Sequence, residues 1–264
     1  MIVLTNDDGI ASPGLRAAYE LLRTFDDVLV VVPDRDRTGA GHGMTLDRPL
    51  EARRTRYEVD GACGDAWIVA GTPADCVKLA CTILCDPRPR FAVSGINLGE
   101  NVGTGIFYSG TVAGALEAAI NGIPAIALSL RGGSAIDYRA AARLVRPIVA
   151  DALTHGLPSW TILNVNVPNV SEAALRGVKL TSMGVSGWLE SYELVAELDD
   201  GTRRYELGGA FVVRDDDDAA AVREGWISVS PLRLTLSAGG DHLRAWQSLA
   251  ARESGERPLV TTLP

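Results

Sequence analysis

Two adjacent aspartates stand at the end of the first apolar run of the chain. Asp7 and Asp8 follow Met1–Leu4 in the polar turn Thr5–Gly9. Vicinal carboxylates repel each other at neutral pH unless they share a cation, or one of them is protonated or caps a helix. The turn is therefore a candidate metal site, with helix capping or turn formation as the alternative. It lacks the G-x-G-x-x-G pattern of a dinucleotide site.

A second candidate loop follows the apolar run Val28–Val32. Residues 33–43 mix glycines with alternating charges and contain one hydroxyl group, that of Thr38, next to Gly39. Such a loop can bring backbone N–H groups and a neutral oxygen close to a small ligand. The alternative is an ordinary mobile loop whose two arginines pair with its two aspartates. His42 alone is weak evidence for a general base.

A third loop, residues 97–111, is rich in glycine and leads directly into an apolar helical pattern. Unpaired N–H groups and the dipole at a helix start favour a bound phosphate, so Ser109, Gly110 and Thr111 are candidate phosphate ligands. The alternative is a plain N-cap formed by Ser109 or Thr111.

Asn97 begins this third loop at the end of its strand, on the sheet edge expected for Asp7 and Asp8. Its amide oxygen can bind a hard cation. Together with two carboxylates and a hydroxyl group it makes an all-oxygen ligand set, which suits Mg²⁺ or Mn²⁺ rather than a structural zinc ion.

These loops need a scaffold that brings them together. Helical patterns that open with a Ser or Thr N-cap followed by Pro begin at Ser12 and Thr72, and they alternate with buried apolar runs. This alternation predicts an α/β fold with a Rossmann-like, doubly wound, mainly parallel sheet. In such a sheet, ligands bind beyond the carboxyl ends of the strands, where all three loops fall.

The residue pattern changes after Pro168. Short alternating segments with Gly-rich turns, including Gly208–Gly209, predict a β-hairpin appendage. Trp226–Pro231 is expected to return to the main sheet, and Asp241–Ala251 to form a closing helix. We therefore divide the chain into a Rossmann-like catalytic core, residues 1–170, and a second part, residues 171–264, with the appendage, the return strand and a C-terminal oligomerisation segment. The aspartate run 215–218 is expected to be a solvated turn.

The composition argues against several classes of protein. Lys and Arg number 25 against 33 Asp and Glu, a net charge of −8, so a nucleic acid polymer is not an expected partner. The apolar runs are shorter than the ~18 residues that cross a bilayer, and Met1–Leu4 begins without a basic signal region. We expect a cytoplasmic protein with no membrane association. The four cysteines match no zinc or disulfide spacing and are expected to be buried thiols.

Six segments resemble, in family order, the motifs of the survival protein SurE family of metal-dependent 5′/3′-nucleotidases and acid phosphatases. The segments are Leu4–Ile10 with Ser12–Gly14, Val32–Gly39, Gly71–Val77, Ser94–Gly103, Tyr108–Gly114 and Val229–Leu232. Six ordered motifs are far more specific than any one of them. One departure concerns Thr38, which stands where the family usually has serine; threonine keeps the hydroxyl group and adds a methyl group.

The resemblance implies a site with one divalent cation per subunit, Mg²⁺ or Mn²⁺. The implied metal ligands are Asp7, Asp8, Thr38 and Asn97. The implied phosphate-binding residues are Ser109, Gly110 and Thr111, together with Gly39 and Asn97.

The implied activity is hydrolysis of nucleoside 5′- and 3′-monophosphates to nucleoside and phosphate. The cation would neutralise phosphoryl charge and hold the attacking water, and the helix start would stabilise the equatorial oxygens. Asp8 is the first candidate to link cation and water and Asp7 mainly a ligand, although the residues alone do not order the two.

A covalent phosphoaspartate route is the alternative reaction. A non-catalytic nucleotide- or phosphate-sensing protein is the alternative function, but it gains nothing from two carboxylates unless a cation is present.

The apolar residues of 184–214 predict a projecting hairpin with no helix of its own to cover it. An isolated two-stranded ribbon is only marginally stable, and a large exposed apolar surface favours aggregation. The resemblance to the SurE family implies a homodimer or a higher oligomer. We therefore expect a homodimer or homotetramer in which the hairpin and Pro231–Pro264 reach a neighbouring subunit. The alternative is that both pieces fold back onto their own subunit.

Overall fold

The computed structural model describes residues 1–214 and 216–236. Its strands are β1 (Ile2–Thr5), β2 (Val28–Pro33), β3 (Ala52–Val59), β4 (Ala62–Val69), β5 (Phe91–Leu98), β6 (Ala125–Leu130), β7 (Thr161–Val167), β8 (Gly177–Leu180), β9 (Gly187–Glu197), β10 (Arg203–Val212) and β11 (Trp226–Arg233). Its α-helices are α1 (Pro13–Leu22), α2 (Pro73–Leu79), α3 (Gly110–Ile120), α4 (Tyr138–His155) and α5 (Asp218–Arg223).

Nine strands form one sheet in the order β3-β4-β2-β1-β5-β6-β7-β11-β8. The pairs from β4 through β7 are parallel, which confirms the predicted α/β fold. Ile2 and Leu4 belong to the core cluster that includes α1 and α4, whereas Val3 is equally buried and lies outside it. Successive strand residues point to opposite faces, so both faces of the sheet are covered.

Helices α1 and α2 begin where the sequence places their caps. Ser12 caps α1 and Thr72 forms a capping box with Asp75 at the start of α2, each followed by proline. Helix α4 begins at Tyr138 after the Asp137 cap, three residues later than Ala135, where the apolar pattern starts. None of the helices in the described residues is both long and apolar enough to cross a membrane.

One element of the sheet has no counterpart in the sequence analysis. Strands β3 and β4 form an antiparallel hairpin at the edge of the sheet. Their turn, Asp60–Gly61, has positive φ at both residues, as tight hairpin turns require. The charged, exposed residues of β3 hide the strand pattern, because this edge strand buries few side chains.

The chain after Pro168 contributes to the main sheet as well as to an appendage. The predicted return strand is confirmed as β11, which pairs with β8 in parallel. Strands β9 and β10 form a separate two-stranded hairpin. Gly208 and Gly209 lie within β10, so the prediction of a turn there was wrong; pairing with Ser191 and Glu190 carries the strand through them.

Two smaller predictions are also corrected. Only Cys76 and Cys81 are buried; Cys85 is half-buried and Cys63, on strand β4 next to the edge strand β3, is exposed. Within the aspartate run, Asp217 and Asp218 are buried rather than solvated: Asp217 caps α5, and Asp218 accepts a hydrogen bond from the backbone N–H of Gly103.

Contacts within the chain define one compact unit, Met1–Leu232, and a second, Arg233–Pro264. The structure describes only residues 233–236 of the second unit. The predicted closing helix, Asp241–Ala251, therefore lies outside the described residues, as does most of the predicted C-terminal oligomerisation segment.

Candidate active site

A cleft of about 230 Å³ lies at the carboxyl ends of β1, β2 and β5. Its lining residues are Asp7, Asp8, Thr38, Gly39, Asn97, Leu98, Asn101, Gly105, Tyr108 and Ser109. The cleft thus brings together all four residues predicted as metal ligands, from three different loops. Because β1 pairs in parallel with both β2 and β5, the loops that follow these strands emerge at the same edge.

The acidic turn after β1 is closed by its own asparagine. Asn6 Nδ2 donates to Gly9 O at 3.0 Å, and Gly9 N donates to Asn6 Oδ1 at 3.1 Å. Gly9 has a φ of +88°, which permits the tight turn. The turn buries Asp7 and leaves Asp8 half-buried, with Ser12 Oγ donating to Asp8 Oδ2 at 3.2 Å.

Burial and nearby negative charge make both carboxylates harder to ionise. Burial raises the pKa of Asp7, and the hydrogen bond from Thr111 partly offsets this effect. Burial also raises the pKa of Asp8 to about 6, and the nearby charge of Asp7 adds to the shift. A cation shared by both groups would relieve this repulsion.

Thr38 lines this cleft and carries a hydroxyl group. Its Oγ1 donates to Asp36 Oδ1 at 2.6 Å, and its backbone N donates to the same oxygen at 2.7 Å. Since the hydroxyl hydrogen is used in this way, the oxygen lone pairs remain as acceptors. Arg37 N donates to Asp7 O at 2.8 Å and ties the Thr38 loop to the acidic turn.

Asn97 is oriented by its own strand end. Its Nδ2 donates to Leu98 O at 3.1 Å and to Gly99 O at 2.9 Å. None of the described residues donates to Asn97 Oδ1, which leaves that oxygen as an acceptor at the cleft. The pairing of β5 with β6 shifts between Ser94 and Asn97, and Gly95 there has a φ of +121°, with Leu128 O where a Cβ would stand.

The donor set of the cleft fits a hard divalent cation. Within the part of the chain that the structure describes, no three Asp, Glu, His or Cys side chains are placed to hold a metal ion together. A cation bound to Asp7 and Asp8 would therefore draw on the neutral oxygens of Thr38 and Asn97. An oxygen-only set of this kind is typical of Mg²⁺ or Mn²⁺ sites.

The predicted phosphate-binding residues around the start of α3 differ in whether they line the cleft. Ser109, Gly39 and Asn97 line the cleft, and Ser109 Oγ accepts a hydrogen bond from Val112 N at 3.0 Å as the N-cap of the helix. Thr111 is fully buried and its Oγ1 donates to Asp7 Oδ1 at 2.6 Å. Its side chain therefore contacts Asp7 rather than the cleft.

Gly110 lies directly behind Asp7. A Cβ at this position would stand 2.8 Å from Asp7 Cβ and 3.1 Å from Asp7 Oδ2, so the helix approaches the acidic turn closely because the residue has no side chain. The N–H groups of Gly110 and Thr111 belong to the first turn, which has no partners within the helix. These N–H groups are the anion-binding feature of the helix start.

Asn101, which was not predicted as a site residue, also lines the cleft. Asn101 O accepts hydrogen bonds from Asn164 Nδ2 at 2.8 Å and Asn166 Nδ2 at 3.1 Å, and Asn101 N donates to Asn166 Oδ1 at 2.8 Å. Asn101 Nδ2 donates to Ser129 Oγ at 2.8 Å. The signal that could have found this cluster is the pair of asparagines in the otherwise apolar strand β7.

The chain has many relatives of known family. Residues 2–190 match the family model described as survival protein SurE. The chain is 40% identical over 241 residues to 5′-nucleotidase SurE of Moorella thermoacetica, covering 90% of this chain and 91% of that protein. It is 41% identical over 264 residues to 5′-nucleotidase SurE of Geobacter sulfurreducens, covering 97% of each.

The fold also matches a solved structure. The crystal structure of SurE protein from Aquifex aeolicus superimposes with a TM-score of 0.79 at 36% sequence identity, covering 94% of this chain and 99% of that one. Similarity in sequence and in fold extends over most of the length of the chain and of these relatives. The chain belongs to the SurE family of survival proteins.

Proposed function

We propose that the chain is a metal-dependent nucleotidase that hydrolyses nucleoside 5′- and 3′-monophosphates to nucleoside and phosphate. The relatives at about 40% identity are named 5′-nucleotidase SurE, which supports a phosphoric monoester hydrolase. The observation that carries the proposal is the cleft in which Asp7, Asp8, Thr38 and Asn97 face the start of α3 at Ser109. A cation site beside an anion site is what a phosphate ester substrate needs.

Asp7, Asp8, Thr38 and Asn97 would hold one Mg²⁺ or Mn²⁺ per subunit. When bound, the cation supplies Lewis acidity that neutralises charge on the phosphoryl group. The first-turn N–H groups of α3 would bind the phosphate oxygens, with Ser109 at the mouth of that turn. Gly39 and Asn97 also line the cleft and would complete the phosphate contacts.

The two aspartates differ in what they can do for the reaction. Asp7 is buried and held by Thr111, so its role is that of an oriented ligand. Asp8 is half-buried and lines the cleft, so its carboxylate can contact an attacking water as well as the cation. We therefore assign Asp8 as the residue that links cation and water, and Asp7 mainly as a ligand. No side-chain nucleophile is required, although a phosphoaspartate remains the alternative route.

The decisive measurement is phosphate release from a panel of nucleoside 5′- and 3′-monophosphates. Chelator-stripped protein is expected to be inactive and to regain activity with Mg²⁺ or Mn²⁺. Asp8→Asn should keep the fold, as judged by circular dichroism, and lower kcat by about three orders of magnitude or more, since it removes charge at the reacting centre. Asp47→Asn is the matched control, because Asp47 is an exposed aspartate that does not line the cleft.

Two results would reject parts of this proposal. Nucleotide binding without phosphate release at saturating cation would identify the chain as a nucleotide- or phosphate-sensing protein. A phosphorylated protein trapped by rapid acid quench, with the phosphate on Asp7 or Asp8, would replace attack by water with the covalent route.

A further inference from the structure

A buried carboxylate on α3 lies outside the cleft and has three partners from three segments of the chain. The Glu117 side chain is 2% exposed. Its Oε1 accepts from Lys78 Nζ at 2.7 Å and from Asn121 Nδ2 at 2.9 Å, and its Oε2 lies 3.0 Å from His42 Nε2. Glu117 is the only acidic residue of α3, a helix otherwise built of small and apolar residues.

The contacts of Glu117 favour its ionised form. Burial alone would raise the pKa of Glu117, but the hydrogen bonds from His42 and Lys78 outweigh burial and hold that pKa below its usual value. An ionised carboxylate only accepts hydrogen bonds, so His42 carries its hydrogen on Nε2 and donates it. Truncating one partner would leave the buried charge less well compensated.

His42 belongs to the same loop as Thr38 and Gly39. The N–H of Thr38 and its hydroxyl group bond within the loop, to Asp36, and no heavy atom beyond its neighbours would stand within 4 Å of a Cβ on Gly39. The loop is tied to the rest of the site on either side of these residues. Arg37 N donates to Asp7 O on one side, and Gly41 N donates to Tyr108 O at 3.1 Å on the other.

We propose that Glu117 and His42 are positioning residues of the proposed nucleotidase site. Their contact fastens the loop of residues 37–42 to α3, the helix whose first turn faces the cleft. Together with the backbone bonds of Arg37 and Gly41 it sets the position of Thr38 and Gly39 relative to Asp7 and Asp8, and without it the contacts of this loop with the cation and the phosphate would weaken. The inference rests on the proposed function for its effect on catalysis.

Lys78 offers a matched control because it binds the same carboxylate from a different element. It lies on α2, so its ion pair with Glu117 stabilises the packing of α2 on α3 without touching the loop. A purely structural role of Glu117 predicts that losing either partner has the same consequences. A positioning role predicts that only the loss of His42 affects the loop.

The test compares the parent protein with His42→Ala, His42→Gln and Lys78→Met. Glutamine places its amide nitrogen at about the reach of histidine Nε2, so it can restore the hydrogen bond to Glu117. Three quantities are measured for each protein: hydrogen–deuterium exchange of peptides covering residues 34–42, which exclude the contacts of Gly43 and Thr45 with the start of α2, Mn²⁺ affinity by calorimetry, and kcat/KM for a nucleoside monophosphate.

We expect His42→Ala to speed exchange in these peptides and to lower both Mn²⁺ affinity and kcat/KM about tenfold, the effect of losing one interaction of about 1.4 kcal/mol. His42→Gln should recover most of both losses. Lys78→Met should lower the melting temperature but leave loop exchange and Mn²⁺ affinity as in the parent.

Unchanged exchange and affinity in His42→Ala would overturn the inference, as would equal effects of Lys78→Met and His42→Ala. A parent that neither binds Mn²⁺ nor releases phosphate would reject the proposed function, and the inference with it. An active parent with an unaffected His42→Ala variant would reject the inference alone.

Discussion

Thr111 Oγ1 donates a 2.6 Å hydrogen bond to Asp7 Oδ1, which joins the first turn of helix α3 to the acidic turn after strand β1. Both side chains are buried. The bond fixes the orientation of the Asp7 carboxylate, and it leaves Oδ2 on the side of Gly110. The phosphate-binding end of the helix and the proposed metal ligand therefore form one rigid unit.

Replacing Thr111 by valine tests this relationship. Thr111→Val keeps the shape of the side chain but removes the donor, so Asp7 loses a charge-assisted hydrogen bond worth about 1.5–3 kcal/mol. We expect Mn²⁺ affinity and kcat/KM to fall about tenfold or more, while Thr111→Ser stays close to the parent. Calorimetry and steady-state kinetics measure the two effects, and equal behaviour of the two variants would show that the bond does not matter for the site.

The hydroxyl oxygen of Thr38 gives a second test. Thr38→Ser keeps the oxygen and should retain near-parent activity, whereas Thr38→Val loses it and should weaken cation binding. Valine also removes the hydrogen bond to Asp36, so Asp36→Ala, which removes the acceptor and keeps the Thr38 oxygen, serves as the control for that loss. Titration of each variant with Mn²⁺ measures the effect, and full affinity in Thr38→Val would remove Thr38 from the ligand set.

Asp218 makes the stability of the protein depend on pH. Burial raises the pKa of Asp218 to about 6 from a usual value of 3.8, Asp217 adds to the shift, and the N–H of Gly103 opposes it. The unfolded chain therefore releases this proton at lower pH than the folded protein does. Ionised Asp218 destabilises the fold, and its contribution to the free energy of unfolding falls as pH rises from about 4 to above 6.

Asp218→Asn removes this titration. Between pH 4 and pH 7, the free energy of unfolding of the variant minus that of the parent should increase by up to about 3 kcal/mol. Urea denaturation of both proteins across this range measures the shift. The amide can also change the strength of the hydrogen bond from Gly103. Such an effect does not vary with pH, so it does not contribute to the change measured between pH 4 and pH 7. A difference that stays flat with pH would contradict the assignment of the raised pKa to Asp218.

The hairpin of β9 and β10 predicts self-association. Trp188 is 60% exposed and Tyr192 66% exposed, and cross-strand pairing places Leu207 beside Tyr192. Among the described residues, no helix or second sheet layer covers this apolar face. We propose that a second copy of the chain packs there, giving at least a dimer at micromolar concentration.

Substitutions on the apolar face of the hairpin test this assembly, and substitutions on the opposite face serve as the control. Replacing Tyr192 and Leu207 by serine should shift the protein toward monomer in analytical ultracentrifugation. Replacing Glu193 and Glu206, a cross-strand pair on the opposite face, by serine as well should leave the oligomeric state unchanged. An intact chain that is monomeric, or two double variants that behave alike, would contradict assembly through this face.

Much of the site could be predicted because its residues are arranged by local rules. Asp7 and Thr38 each follow a buried strand of a parallel sheet and Asn97 lies at the end of another, and the carboxyl ends of such strands meet at one edge. Capping patterns placed the starts of α1 and α2 for the same reason, since an N-cap acts on residues only two or three positions away. The edge strand β3 escaped prediction because its charged residues face solvent and carry little periodic signal.

The amino-acid sequence by itself determined the α/β class, the family, and the three loops that meet at the cleft. Only the tertiary structure decided how these loops are held. Thr111 meets Asp7 across 104 positions of the chain, His42 meets Glu117 across 75, and Asp218 meets Gly103 across 115. Whether a carboxylate is solvated, bound to a cation or buried against a distant donor depends on burial and on partners that residue types and short-range spacing do not specify. Asp218, expected in a solvated turn, is buried for this reason.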